Sequence, residues 1–350
     1  MRGKCLILAA VPVVCAAQSQ VLSIPLKSQR AAVSQTIGLT DITIIYHRPL
    51  VGGRVIWDSL VPYGKVWRTG ANMNTTITFS DPVRIDGNPL DRGTYGLHMI
   101  PAADEWTVIF SKNSTSWGSF TYDQTEDALR IRVRPKKSDM HEALTYEFDD
   151  LAPSSAIVEL LWEKIAVPFT VSVDVHAVAL ASLRNQLRML ARYTWLSWND
   201  AANYLLDEKI ALDTALAYAD TSITNEDRYE NEMTRSKILT ALNRQADADL
   251  AQRKALDLGT PSEVDDFARD LLARKRTVEA LSVFRQNAAK HPDRWFVHDG
   301  LSRVYSAQGK FDDASREMRL ALAGAPPGQK NHLQSLLTQL GAKQDISTSQ

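Results

Sequence analysis

The segment 63–72 carries the side chains best suited to hold a small molecule. Gly64 and Gly70 allow tight backbone paths, so that neighbouring side chains and amides can line a concavity. Arg68 offers a planar fork of donors to a carboxylate or phosphate, and Trp67 offers a flat apolar face to a sugar ring. We therefore predict a site for a small polar or glycan-like ligand, formed by Arg48, Tyr63, Lys65, Trp67, Arg68, Asn72, Tyr95, Lys112 and Trp117.

A purely structural role for the same segment is the alternative. Trp67 would then fill a core, and Arg68 would pair with an internal carboxylate such as Glu163. Asn72 would cap a turn, because its side chain bonds readily to nearby backbone. The residue types alone leave both interpretations open.

Motifs for metal-dependent or nucleophilic catalysis are incomplete. His141 and Glu142 begin like a zinc-protease helix motif, but Thr145 stands where the second histidine belongs. Residues 123–127 contain three carboxylates but lack the glycine and terminal glutamate of a calcium loop. The sequence has neither a Gly-x-Ser-x-Gly elbow nor a phosphate-binding glycine loop. We therefore predict no metal, no cofactor and no assigned catalytic residue.

A catalytic triad assembled from distant positions stays open, because such triads are recognised by geometry and not by spacing. Among the seven histidines, His47 and His98 are the first to test.

Two-residue alternation marks the stretch that must position these side chains. Residues 129–134 alternate strictly between apolar side chains and arginine, and several short runs between 34 and 175 behave similarly. Asp86-Gly87 and Gly52-Gly53 supply turn chemistry between the runs. We predict an antiparallel β-sandwich or barrel over residues 34–175.

The spacing changes near residue 176, where apolar residues begin to recur every three or four positions. An internal repeat of 34 residues relates two sets of residues, Ala280, Phe284 and Pro292 in the first and Ala314, Met318 and Pro326 in the second. Ala246 and Leu250 extend the register backwards. This pattern resembles tetratricopeptide repeats, so we predict α-helical hairpin repeats over residues 176–342, with a plain helical bundle as the alternative.

The N-terminus has the composition of a Sec-type signal peptide over residues 1–17. Arg2 and Lys4 precede a short apolar core, and small residues lead up to cleavage after Ala17. Lipid attachment at Cys15 is the alternative. We expect a flexible lead-in over residues 18–33, a disordered tail over residues 343–350, and a periplasmic or secreted protein with no integral membrane segment.

Several motifs between residues 30 and 173 resemble the DUF2911 family. They are residues 34–41, 46–49, 61–72, 93–95 and 105–112. The resemblance implies an exported bacterial β-rich domain of unassigned activity, sometimes followed by helical repeats.

Composition is that of a soluble globular protein, with 44% hydrophobic residues, 23% charged residues and a net charge of −1. No overall field favours nucleic acid as a partner. We predict a binding or scaffolding protein of the cell envelope, with a protein partner on the helical repeats and a small ligand on the β domain. The alternative is an envelope or carbohydrate-directed hydrolase that uses β-domain carboxylates as acid and base.

Overall fold

The computed structural model describes residues 25–349, which divide into two compact units between residues 181 and 182. The sequence predicts this boundary at 175/176. Helix α1 (Val175–Gln186) begins at that point and crosses the division. The predicted signal peptide and residues 18–24 of the expected lead-in lie outside the described residues.

Between residues 25 and 174, the first unit contains ten strands in two antiparallel sheets. The strands are β1 (Gln29–Ile37), β2 (Thr40–Arg48), β3 (Thr76–Phe79), β4 (Val83–Ile85), β5 (Asn88–Leu90), β6 (Gly93–Ile100), β7 (Trp106–Ser111), β8 (Asp127–Val133), β9 (Lys136–Ala152) and β10 (Ser155–Ser172). One sheet has the order β1-β2-β3-β6-β7-β8, and the other has the order β5-β4-β10-β9.

The two sheets share one apolar core. In β2, Ile42, Ile44 and Tyr46 are buried in this core, while the residues between them face the other side of the sheet. Phe110 of the six-stranded sheet meets Phe169 of the four-stranded sheet edge to face, with ring centroids 5.7 Å apart. The fold is therefore a sandwich of two separate sheets and not a closed barrel.

The expected lead-in is wrong for residues 29–33, which form the start of β1. This strand pairs with β2 in unbroken register from Gln29 opposite Arg48 to Ile37 opposite Thr40. Ala31 and Val33 pack against the core, but the strand lies at the sheet edge and its remaining side chains are mostly exposed. Weak apolar alternation is typical of such an edge strand.

The second unit is helical. After α1, its helices are α2 (Trp195–Asp207), α3 (Leu212–Asn225), α4 (Tyr229–Ala241), α5 (Gln245–Leu258), α6 (Pro261–Ala273), α7 (Thr277–Lys290), α8 (Trp295–Ala307), α9 (Phe311–Gly324) and α10 (Pro327–Gly341). Consecutive helices pack as the hairpins α2–α3, α4–α5, α6–α7 and α8–α9. Within residues 25–349, no helix is both long and apolar enough to cross a membrane.

A repeated hydrogen bond supports the hairpin repeat. Ser236 of α4 donates to the carbonyl of Ala248 in α5, and Ser302 of α8 donates to the carbonyl of Ala314 in α9, each over 2.8 Å. Ala248 is buried like Ala280 and Ala314, whereas Ala246 and Leu250 are exposed. The predicted backward extension through Ala246 and Leu250 is therefore wrong, and Ala248 is the equivalent residue.

The expected disordered tail is also wrong for residues 343–349. Ile346 is fully buried in the core of the helical unit. Its neighbours in the sequence are polar. A single apolar side chain gives no periodic pattern, so the sequence did not predict that this segment is ordered.

Candidate functional site

The segment around Arg68 extends the sheet beside β6. Trp67 and Met99 exchange two backbone hydrogen bonds, of 2.8 and 2.9 Å, in an antiparallel bridge. Side chains alternate along such a segment, so Trp67 and Arg68 point to opposite sides of the sheet. Trp67 faces the core, where it stacks on Trp162 with centroids 5.7 Å apart and an interplanar angle of 20°.

Arg68 lies on the outer face, the side of the six-stranded sheet turned away from the core. Because Trp67 pairs with Met99 in an antiparallel bridge, the following residue Arg68 lies opposite His98, the residue before Met99. The Arg68 guanidinium carbon lies 5.9 Å from the ring centroid of Trp117. Within the described residues, no carboxylate lies within ion-pair distance of Arg68, and the predicted alternative partner Glu163 instead accepts from the Lys164 amide over 2.8 Å.

Two buried histidines flank Arg68 on the same face. His47 follows Tyr46 in β2 and therefore points outward, and Arg30 of β1 lies directly opposite it. His98 is bonded through Nδ1 to the Ser119 hydroxyl over 3.0 Å. Burial lowers the pKa of His98 from 6.5 to about 4. Burial, followed by the charges of Arg30 and Arg68, lowers the pKa of His47, so both imidazoles are neutral at pH 7.

The loop 112–123 covers this part of the outer face. The Asn74 side-chain amide donates to the Asn113 carbonyl over 3.4 Å, and the Asn74 backbone amide donates to the Ser116 carbonyl over 3.3 Å. Gly96 makes this approach possible, because a Cβ there would lie 2.4 Å from the Asn113 carbonyl oxygen. The loop thereby brings Trp117 over Arg68.

Of the nine predicted ligand residues, the structure places Arg68 and Trp117 together and puts the others elsewhere. Arg48 donates to the Leu144 carbonyl (2.9 Å) and the Thr145 hydroxyl (2.6 Å). Trp67 lies in the core against Trp162. The other five residues fall into three groups: Asn72 and Tyr95, which donate to the backbone carbonyls of Ser28 and Asp91; Lys65 and Lys112, which are exposed; and Tyr63, which is half-buried.

Three residues near Arg68 and His98 were not predicted from the sequence: Asn74, Ser119 and Phe120. They lie in or near a Ser- and Asn-rich loop, where residue type alone points to turns.

The carboxylates of residues 123–127 are engaged locally. Asp123 accepts from the Thr125 amide, and Asp127 accepts from the Tyr122 hydroxyl over 2.6 Å and pairs with Arg130. Burial and the bond to Asp127 raise the pKa of Tyr122 to about 12. Across residues 25–349, no group of three metal-ligating side chains comes together.

A second candidate site lies on α8 of the helical unit, where residues 344–349 are docked. Arg303 donates through Nη1 to the carbonyls of Ile346 (3.2 Å) and Ser349 (2.5 Å). The Ser306 hydroxyl donates to the Asp345 carboxylate and accepts from the Ile346 amide, each over 2.9 Å. Nothing in the amino-acid pattern signalled this contact.

Comparison with known proteins gives one family match, and residues 28–171 fit the model of a family described as protein of unknown function (DUF2911). No curated protein matches the sequence.

Three solved structures with some likeness to this chain each match less than half of it. YrrB, described as a TPR protein with an unusual peptide-binding site, is 12% identical, with a TM-score of 0.29 over 47% of this chain and 87% of YrrB. The Cut9–Hcn1 hetero-tetramer of the APC/C has the same identity, TM-score and share of this chain, but only 33% of its own chain is covered. PilF of Pseudomonas aeruginosa is 14% identical, with a TM-score of 0.28 over 45% of this chain and 77% of PilF.

Proposed function

We propose that this protein, whose residues 28–171 match the DUF2911 family, is a binding scaffold whose helical unit holds a short, turn-forming peptide segment of a partner protein. The observation that supports the proposal is the docking of the chain's own residues 344–349 on α8. These residues act as an internal ligand that occupies the site in the absence of a partner.

The contacts describe what the site recognises. Arg303 donates to the main-chain carbonyls of Ile346 and Ser349, which a turn brings together through the hydrogen bond of the Ser349 amide to the Ile346 carbonyl (3.1 Å). Selectivity then comes from two neighbouring positions: the buried side chain of Ile346 and the carboxylate of Asp345 on Ser306. The preferred partner segment therefore carries an acidic residue followed by an aliphatic one.

A competition experiment on the full chain tests this function. Ile346→Asp places a charge in an apolar pocket and releases the segment, since an unpaired charge is costly to bury. Thr348→Asp adds the same charge to the same segment at an exposed position and serves as the control. A fluorescent peptide of residues 343–349 is the probe.

We expect saturable peptide binding to the Ile346→Asp variant. Binding to the wild type and to Thr348→Asp should be at least about tenfold weaker, because a tethered segment competes at an effective concentration in the millimolar range. If the Ile346→Asp variant keeps its helical circular dichroism but does not bind the peptide, the segment is a fixed part of the fold and the proposal is wrong.

We place this activity in the cell envelope, as a periplasmic or secreted protein. The support is the sequence of residues 1–17, with its basic start, short apolar core and small residues before Gln18. N-terminal sequencing of the protein from its native host should begin at Gln18. An intact Met1, or a lipid-modified Cys15, would contradict cleavage after Ala17.

A further inference from the structure

We infer that the outer face of the six-stranded sheet carries a separate binding site for the oxyanion group of a small ligand, held by Arg68. A carboxylate, a sulfate and a phosphate share the chemistry this site recognises. The inference concerns the β unit alone and is independent of the peptide site on α8.

The charge balance around Arg68 is the first argument. Two enclosed arginines of the helical unit, Arg269 and Arg303, each pair with buried aspartates at 2.6–3.1 Å. Arg68 is half-buried and, within residues 25–349, has no carboxylate within ion-pair distance. Arg30 adds a second positive charge opposite His47 on the same face. An enclosed guanidinium normally requires a negative partner, so an anion supplied from outside completes this arrangement.

The two acidic side chains that follow the covering loop, Glu126 and Asp127, do not supply that charge. Asp127 is bound by Tyr122 and Arg130, and Glu126 accepts from the Asn113 amide over 3.1 Å. Both carboxylates are thus committed to other partners.

Unpaired polar atoms give the second argument. Nδ1 of His47, Nε of Arg68 and Oδ1 of Asn74 are buried and have no hydrogen-bond partner among the described residues. Buried polar groups are nearly always paired, so three together on one face point to a ligand. Arg68 can donate to two oxygens of one anion in the plane of its guanidinium, and neutral His47 adds a further hydrogen-bonding position.

Asn74 adds a condition on the ligand. Its amide nitrogen is used by the Asn113 carbonyl, so its free atom is an oxygen that accepts hydrogen bonds. The ligand therefore presents a hydroxyl or another donor next to the anionic group, as a 2-hydroxy acid or a monoprotonated phosphate does.

Trp117 and Phe120 form the outer wall of the site. Their rings stack with centroids 5.8 Å apart and an interplanar angle of 14°, and the side chains are 59% and 78% exposed. Gly118 between them has a positive φ of 76°, and a Cβ there would lie 3.2 Å from Nη1 of Arg68. The absence of a side chain at this position lets the loop close on the guanidinium, while the exposed rings remain available to the apolar part of a ligand.

The test titrates the full chain with acetate, lactate, phosphate and sulfate at constant ionic strength, followed by tryptophan fluorescence and calorimetry. Methyl glucoside is the neutral comparison. Arg68→Gln removes the charge, and the matched control Arg132→Gln removes an exposed charge from the same face of the same sheet.

We expect at least one oxyanion to bind the wild type with one-to-one stoichiometry. Arg68→Gln should weaken its affinity about 10- to 100-fold, the usual value of a hydrogen bond to a charged group, while Arg132→Gln should leave the affinity unchanged. Lactate binding above acetate would assign a hydroxy acid, and phosphate binding above both would assign a phosphate. Trp117→Ala changes an exposed side chain, preserves the core and should weaken binding about two- to fivefold.

Three results would overturn the inference: no saturable binding of any of the four ions, equal binding by Arg68→Gln and the wild type, or equal losses in Arg68→Gln and Arg132→Gln. Methyl glucoside binding that is indifferent to Arg68 would also overturn it, in favour of a neutral sugar. Ion binding by the Ile346→Asp variant should equal that of the wild type, which separates this site from the peptide site.

Discussion

Gly300 lies where α8 packs tightly against α7 and α6. A Cβ at this position would lie 2.3 Å from Cε1 of Phe284 and 2.8 Å from Oδ1 of Asp265. Carbon atoms in favourable contact are about 3.5–4.0 Å apart, so Gly300→Ala requires a displacement of roughly 1 Å or more. Phe284 is fully buried in the core of the helical unit, and such cores are close-packed.

Two opposing effects set the size of the change. Alanine is favoured over glycine in a helix by about 1 kcal/mol, whereas overpacking of a filled core costs about 1–3 kcal/mol and occasionally more. The overlap also presses on Asp265, which is held at 2.6 Å from Arg269, so the cost should lie at or above the top of that range. We expect a net loss of about 2 kcal/mol, which lowers the Tm of a unit of this size by about 4–8 °C.

The assay is thermal unfolding of the full chain followed by circular dichroism at 222 nm, where the helical unit dominates the signal. Gly328→Ala in α10 is the matched control, because a Cβ there meets nothing within 4 Å. This control should leave the Tm unchanged or raise it slightly, since alanine restricts the unfolded chain. Equal Tm values for the two variants would show that α8 is not packed as closely as the distances indicate.

Three further predictions concern the two units separately. Burial lowers the pKa of His98 to about 4, so the unfolded chain takes up a proton at a higher pH than the folded one. The β unit should therefore lose up to about 3 kcal/mol of stability as the pH falls from 6.5 towards 4. In urea unfolding at pH 4.5 and 7, His98→Gln should reduce this difference in stability. Gly96→Ala places a Cβ 2.4 Å from the Asn113 carbonyl oxygen and should displace the loop 112–123, seen as a shift in Trp117 fluorescence; an unchanged spectrum would contradict the close approach. Burial raises the pKa of Asp265 to about 6. The stability that the protonated carboxyl contributes at low pH is therefore lost as the pH rises through 6, and the Tm should fall over this range. Asp265→Asn should remove this fall from a plot of Tm against pH.

Local side-chain period predicted the architecture of both units. Alternation in β7 and β8 and the three-to-four spacing beyond residue 176 depend on neighbouring residues, so they are visible in the sequence. The start of β1 and residues 344–349 were not predicted as ordered, because they carry few buried apolar side chains. β1 is a half-exposed edge strand, and residues 344–349 are anchored by a single buried isoleucine.

The candidate site was predicted in part. Arg68 and Trp117 were among the expected ligand residues, and His47 and His98 were the histidines chosen for testing. Trp67 was also expected in the site, but its side chain lies on the opposite side of the sheet from Arg68 and stacks on Trp162 in the core. Arg48, Asn72 and Tyr95 instead bond to backbone groups of their own unit.

The amino-acid sequence alone therefore determined most of the strands and helices and the residue types capable of holding an anion, because these follow from local spacing and side-chain chemistry. The tertiary structure decided which of those residues meet. Arg68, Trp117 and His47 come together only when a loop crosses the sheet, and Arg303 reaches Ile346 across 43 positions of the chain. Contacts between residues so far apart depend on how whole elements pack, and packing leaves no periodic signal in a single sequence.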